Sequence, residues 1–363
     1  MRLRLTLNQP IVPAPGTGDF TGYENKPLHG LVKGHDLSRA DKANRNDRAL
    51  APEGIRRNAS TRQFVQSSIK LTFFLLLLFP ACAFAQQHFR GDKALEITRQ
   101  FVSIGPRWCL SPGHVKAEAF LRNQFKHDQL EEDTFTANTP IGPVPMRNFI
   151  VRFPGKKDGV IVLATHYETN YPLRNIGFVG ANDGGSTTGL LIELANEIRG
   201  HVQAGYSVWL VFFDGEEAIE QWRGTDNTYG SRHLAAKWGA DGTLKRVKAF
   251  LLADMLGDKD LDVQKETQST PWLINVVAQA ARNTGHAKYF FAKEQAEDDD
   301  HLPFLGRSVP SIDIIDSDYG PHTDATPDGY HHTAQDTTDK ISAKSLAIAG
   351  DVFLESIKLI DAK

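Results

Sequence analysis

Cysteine is nearly absent from this sequence: Cys82 and Cys109 are the only two thiols among 363 residues. A scaffold built on disulfides is therefore excluded. Long apolar runs are missing too. Residues 71–79 form an uncharged, mostly apolar stretch, but it falls well short of the ~20 residues a spanning helix needs, and Pro80 closes it. Positive charge is not in excess over most of the chain, since residues 71–363 hold 29 Lys/Arg against 38 Asp/Glu. An acidic body of this kind argues against nucleic acid as a partner. With 40% hydrophobic and 23% charged residues, and no repeat or low-complexity tract after residue 86, coiled-coil, collagen-like and multi-span membrane classes fall away.

The first 85 residues differ from the rest. Residues 1–70 carry 12 Lys/Arg against 6 Asp/Glu, and residues 71–85 carry no charge. Lys70, the short apolar run, Pro80 and then Ala83-Phe84-Ala85 make a Sec signal peptide over residues 66–85, cut after Ala85. A membrane anchor is the alternative, and the run is too short for it. Cys82 is a poor lipoprotein site, because Phe79-Pro80-Ala81 precedes it. Residues 1–65 read as disordered, or as upstream sequence included by a mis-assigned start. The expected mature protein is a periplasmic or secreted domain over residues 86–363, with no stable membrane insertion after cleavage. It retains Cys109 alone, so no intramolecular disulfide forms, and a monomer is expected.

Within residues 86–363 the elements alternate. Residues 116–125, 231–238, 271–282 and 342–359 have helical periodicity. Another helix runs to Arg199, with Ser186 or Thr187 as its cap and Leu190, Leu191, Leu194, Ala195 and Ile198 recurring along it. Residues 148–153, 160–165, 208–213, 249–253 and 312–315 are short apolar runs that read as strands. This alternation predicts a single α/β domain with a mixed, mostly parallel central sheet flanked by helices on both faces.

In such folds ligands bind beyond the carboxyl ends of the strands. Ionisable residues collect there. His166 and Glu168 follow residues 160–165; Asp214, Glu216 and Glu217 follow 208–213; Asp254 follows 249–253. Asp183 sits in Gly180-Ala181-Asn182-Asp183-Gly184-Gly185, and His331-His332 precede the last helix. Taken singly, Asp183 reads as an Asx-turn residue, Glu216-Glu217 as a solvated pair at a helix start, and His332 as a cap or core histidine. Their coincidence at four strand ends instead points to a hydrolase-type metal site.

Phe212-Phe213-Asp214-Gly215-Glu216-Glu217-Ala218, then Trp222 and Asp226-Asn227-Thr228-Tyr229-Gly230-Ser231, resembles the glutaminyl-peptide cyclotransferases of the zinc aminopeptidase clan. Further resemblance lies in Ser111-Pro112-Gly113, His166-Tyr167-Glu168, Gly180-Ala181-Asn182-Asp183, Leu251-Leu252-Ala253-Asp254, Asp299-Asp300-His301-Leu302-Pro303-Phe304 and His332-Thr333. It implies a zinc aminopeptidase-like fold and one Zn2+ per chain, held by Asp183, Glu217 and His332. It implies Glu216 as the acid–base residue and Asp254 and Asp299 as active-site aspartates. Trp222 and His331 would face the substrate, His331 standing where the family has a tryptophan. Asp313 stands near the family's late histidine, and Thr165 replaces a cysteine of the animal enzymes' disulfide. The implied partners are peptides or proteins with an N-terminal glutamine.

The competing expectation is a secreted aminopeptidase with two zinc ions, the second held by His166 and Asp254. The segment between Glu217 and Gly230, which contains Trp222, has the longer cyclase-like form. A peptide-binding module without catalysis would lack a ligand or the acid–base glutamate, and neither is missing. If cleavage follows Ala85, the new terminus is Gln86-Gln87, itself a substrate for the implied reaction.

Overall fold

The computed structural model describes residues 88–199, 203–324 and 326–363. The predicted extension, signal peptide and cleavage point lie outside the described residues. Among the described residues eight strands and seven α-helices follow in the order α1 (Gly91–Val102), α2 (Pro112–Gln124), β1 (Gln129–Thr139), β2 (Gly142–Phe153), β3 (Gly155–His166), α3 (Gly185–Ile198), β4 (Gln203–Phe213) and α4 (Tyr229–Asp241). They continue with β5 (Val247–Asp254), β6 (Val263–Glu266), α5 (Pro271–Asn283), β7 (Phe290–Gln295), α6 (Leu302–Leu305), β8 (Ser311–Ile315) and α7 (Ala343–Asp361).

The main sheet has the order β1-β2-β4-β3-β5-β8. Strands β4, β3, β5 and β8 are parallel, with Ala164 opposite both Val211 and Leu252. The β1–β2 hairpin is antiparallel and joins β4 antiparallel, so the sheet is mixed as expected. Alternate residues of the central strands pack on opposite faces. Ile161, Leu163, Leu210, Phe212 and Leu251 meet residues of α1, α3, α5 and α7, whereas Val162, Val211, Phe213, Phe250 and Leu252 meet Leu234, Trp238 and Phe304. Burial on both faces is why these strands read as unbroken apolar runs. Each such side chain contributes roughly 1.5–3 kcal/mol of transfer free energy.

The structure alters several local expectations. Helix α2 begins at Pro112, capped by Ser111, whose hydroxyl accepts the His114 amide at 2.9 Å. Helix α3 is not capped by Ser186 or Thr187. Its N-cap is Gly184 in the left-handed region, because the Ser186 hydroxyl donates to the Asn182 carbonyl at 2.7 Å and Thr187 bonds to Thr165. The Glu216-Glu217 pair does not start a helix; α4 begins only at Tyr229. Helix α1, edge strand β1 and the two-stranded parallel sheet of β6 and β7 were not foreseen. No helix among the described residues is long and apolar enough to cross a membrane.

Candidate metal and acid–base site

The four parallel strands bring their carboxyl ends to one side of the sheet. His166 closes β3, Asp254 closes β5, and Asp214 to Glu217 leave β4 directly. Loops add Asp183, Asp299, His331 and His332. Asp183, Glu216, Glu217, Trp222, Asp254, Asp299, His331 and His332 all line one cleft of about 620 Å³. His166 lies beneath it, buried.

The contacts are specific. The His332 Nε2 atom is 3.0 Å from Glu217 Oε1 and 3.4 Å from Asp183 Oδ2. His166 Nε2 is 3.1 Å from Asp183 Oδ1 and 3.4 Å from Asp254 Oδ1. Asp183 thus turns one oxygen to each histidine. Both nitrogens of His166, Oδ2 of Asp183 and Oδ1 of Asp254 are buried without a hydrogen-bond partner. Burying such donor atoms against one another is costly unless a cation sits among them. Two imidazoles and several carboxylates at these separations suit Zn2+, so the residues present fit the implied ion. Burial pushes the Asp183 carboxyl up, but the close approach of His166 and His332 outweighs it and holds that carboxyl well below the usual range.

His331 stands beside the candidate ligands. It lines the cleft, and its Nε2 is 3.8 Å from Asp183 Oδ2 and its ring lies 3.9 Å from that of His332. Asp183, His331 and His332 therefore also converge as a set that could hold an ion. Trp222 is 41% exposed at the cleft rim, presented by a loop gathered on Asp226. That carboxylate accepts the amides of Ile219, Glu220 and Gln221 at 2.9–3.0 Å and the Tyr229 hydroxyl at 2.6 Å.

Glu216 and Glu217 part company within the loop. Gly215 has φ +68°, which turns the chain sharply after β4, and the amides of Tyr229 and Thr228 bond to the Gly215 and Glu216 carbonyls at 2.6 Å. Glu217 Oε2 accepts from Asn170 at 2.7 Å, and its backbone amide donates to Glu168 Oε1 at 3.0 Å. Glu216 stands 3.8 Å from His166 Nδ1 and faces the cleft. Burial drives the Glu216 carboxyl well above its ordinary value; His166 opposes this, and Asp299 and Glu217 add to it. Asp299 is likewise raised by burial and by Asp254 and Asp300. Asp313 lies buried in β8 with neither oxygen hydrogen-bonded, and burial with Asp299 and Asp254 raises it too. A carboxyl raised in this way is better suited to exchange protons with a substrate than an ordinary one.

Supporting residues went unread in the sequence. Asp336 accepts the amides of Asn182 and Asp183 at 2.8 and 3.2 Å and the Tyr319 hydroxyl at 2.7 Å, which fixes the Asp183 loop. Fully buried Arg107 braces the same loop through the carbonyls of Val179 at 2.6 Å and Gly180 at 3.1 Å. Asp214 is held by His114 Nε2 at 2.8 Å and the Arg147 amide at 2.7 Å. Burial alone would lower the His114 pKa, but the Asp214 carboxylate carries it up to about 9. His332 itself has φ +54°, a strained value for a non-glycine residue and typical of functional sites.

The similarities to known proteins agree with this geometry. Residues 148–357 match the profile of peptidase family M28. A glutaminyl-peptide cyclotransferase of Drosophila melanogaster is 30% identical over 211 residues, covering 51% of this chain and 59% of that protein. A glutaminyl-peptide cyclotransferase-like protein of Bos taurus is 31% identical over 247 residues, covering 56% and 61%. The chain thus spans about three fifths of the length of these two curated relatives. The crystal structure of an Acidobacteriales bacterium glutaminyl cyclase superimposes with a TM-score of 0.75 at 62% identity, covering 77% of this chain and 98% of that one. Matched by the family profile over more than half of its length, and by that structure over nearly all of the latter, the chain belongs to peptidase family M28 and, within it, to the glutaminyl cyclases.

Proposed function

We propose that the chain is a zinc-dependent glutaminyl-peptide cyclotransferase, exported by the Sec route, that converts the N-terminal glutamine of peptides or proteins to pyroglutamate and releases ammonia. The observation that carries this reading is the division of labour between adjacent glutamates. Glu217 is engaged by His332 and Asn170, whereas Glu216 faces the cleft with its carboxyl pKa raised by burial. Asp183, Glu217 and His332 would hold one zinc ion, which when bound supplies a Lewis acid for the γ-carbonyl oxygen.

The substrate's α-amine bonds to the γ-carbon of its own side chain, and the γ-C–N bond breaks. Glu216 takes the proton that the amine loses and returns it to the leaving nitrogen, so that ammonia departs neutral. Asp254 and Asp299, which line the cleft with Glu216, would hydrogen-bond the leaving group. Trp222 would pack on the bent glutamine side chain and exclude the water that could hydrolyse the amide.

Product analysis of a glutamine-initiated peptide by mass spectrometry, paired with metal content, tests the reading. Loss of one ammonia with about one zinc per chain supports it. Release of free N-terminal residues from leucine-initiated peptides, with two zinc ions per chain, would instead favour an aminopeptidase using His166 and Asp254 for the second ion.

A further inference from the structure

A second convergence of ligand-type side chains lies away from the cleft, where the beginning of the described chain meets the last helix. His88 Nδ1 and His286 Nε2 approach the same atom, Asp351 Oδ2, at 2.7 and 2.9 Å. None of the three residues lines the catalytic cleft. They share a separate pocket of about 320 Å³ with Tyr289, Lys288 and Lys344.

Each donor is fixed by its own local structure. Asp351 lies in the middle of α7 and is buried, and its other oxygen, Oδ1, accepts the Phe89 amide at 2.7 Å. That bond orients the carboxylate so that Oδ2 points at the histidines. His286 follows α5 at a Schellman turn: Gly285 has φ +78°, the His286 amide bonds back to the Ala281 carbonyl at 2.7 Å, and the Gly285 amide to Arg282 at 3.1 Å. His88 is the exposed partner, its side chain 60% accessible. Phe89 beside it is anchored against Gly350, where a Cβ would come within 2.1 Å of its ring. The two lysines of the pocket lie against the Tyr289 ring, at 4.8 and 5.4 Å from its centre, so their ammonium groups are occupied by the aromatic face.

We propose that His88, His286 and Asp351 form a second metal site, for a divalent first-row ion of the imidazole-binding kind, that ties the start of the domain to its last helix. Two neutral imidazole nitrogens and one carboxylate, with a fourth position open to solvent, are a complete donor set for Zn2+. Metal–ligand bonds of about 2.0–2.1 Å place tetrahedral donors roughly 3.3 Å apart. The two histidine–carboxylate separations need open by only about half an ångström, the three donor atoms already lie within 4.8 Å of one another, and exposed His88 can supply the movement. The inference does not depend on what the catalytic cleft binds.

Equilibrium dialysis of the exported protein against stepped free Zn2+, beside His286→Gln and His88→Ala, tests it. His286→Gln keeps a side-chain donor for Asp351 but cannot replace the imidazole ligand. The native protein should take up one more zinc equivalent than either variant, while turnover of the three proteins stays equal. Its thermal midpoint should also rise with added zinc more than theirs, since an ion that binds only the folded chain stabilises it. Equal zinc uptake by native and variant proteins would overturn the proposal and leave the three side chains as a hydrogen-bonded clamp.

Discussion

At the scale of single residues, the separation of roles between Glu216 and its neighbours is the most exposed part of the proposed chemistry. Glu216→Gln removes a proton carrier but no proposed ligand. It should keep its zinc and its fold while kcat falls on the order of 10²–10⁴-fold, the usual contribution of a general acid–base group. Near-native turnover in that variant would defeat the assignment. Asp183→Ala, Glu217→Ala and His332→Ala should each lose the ion, as read by metal content. His331→Ala should keep it, and this outcome is informative because His331 also stands 3.8 Å from Asp183. Beneath the Glu216 turn, the buried His114–Asp214 pair predicts a pH dependence of stability. Its folded pKa of about 9 lies above the ordinary histidine value of 6.5. The folded state therefore binds this proton more tightly than the unfolded state does. The stabilisation is complete below about pH 6.5 and is lost as pH rises through about 9. Denaturant midpoints measured from pH 6 to 10 should fall across that window, and His114→Gln should flatten the fall.

At the scale of elements, legibility followed burial. Strands β3, β4, β5 and β8 announced themselves because both of their faces are covered, so that runs such as Val208-Trp209-Leu210-Val211-Phe212-Phe213 carry no polar residue. Edge strand β1 did not, since Glu131 and Glu132 lie on a partly exposed surface and Glu131 pairs there with Arg152 and Lys237. Glu216, Glu217 and Asp254 face the cleft because each stands at or just past a strand end, a position readable from a change in hydrophobicity, whereas Asp183, Asp299, His331 and His332 reach it from loops. Asp336, Arg107 and Asn170 were not legible: each acts through a backbone amide, a carbonyl or a neighbouring carboxylate far away in sequence, and no local pattern marks that. The cap of α3 shows a local rule overridden by tertiary packing. A Cβ at Gly184 would fall 2.8 Å from His166 Cε1, and its φ of +71° disfavours any side chain. Gly184→Ala should therefore destabilise the fold by roughly 1–3 kcal/mol and displace His166, measured by chemical denaturation together with metal content. The Trp222 loop offers a milder case. Asp226→Asn weakens a carboxylate that gathers three amides and a hydroxyl, so KM should rise several-fold with kcat little changed; a fall in kcat alone would show that the loop serves the chemical step instead.

At the scale of the whole molecule, the start of the domain and its catalytic cleft belong to different places. Phe89 is buried against α7, and His88 lines the pocket around Asp351 rather than the cleft. If export removes residues 1–85, the new terminus is Gln86, two residues before His88. No residue is shared between the His88 pocket and the cleft. We propose that a copy of the enzyme presents that terminus to the cleft of another copy. Pyroglutamate at position 86 is thus expected to form in trans, at a rate that rises with enzyme concentration. Intact-mass analysis of freshly exported protein gives the measurement. Native chains should become lighter by one ammonia, and Glu216→Gln chains should lag until native enzyme is added at catalytic amounts. Slow uncatalysed cyclisation would proceed equally in both proteins and be indifferent to dilution, so equal, concentration-independent rates would reject cyclisation of the terminus by the enzyme. A first residue other than Gln86 would reject the cleavage point itself while leaving the reading of the cleft untouched.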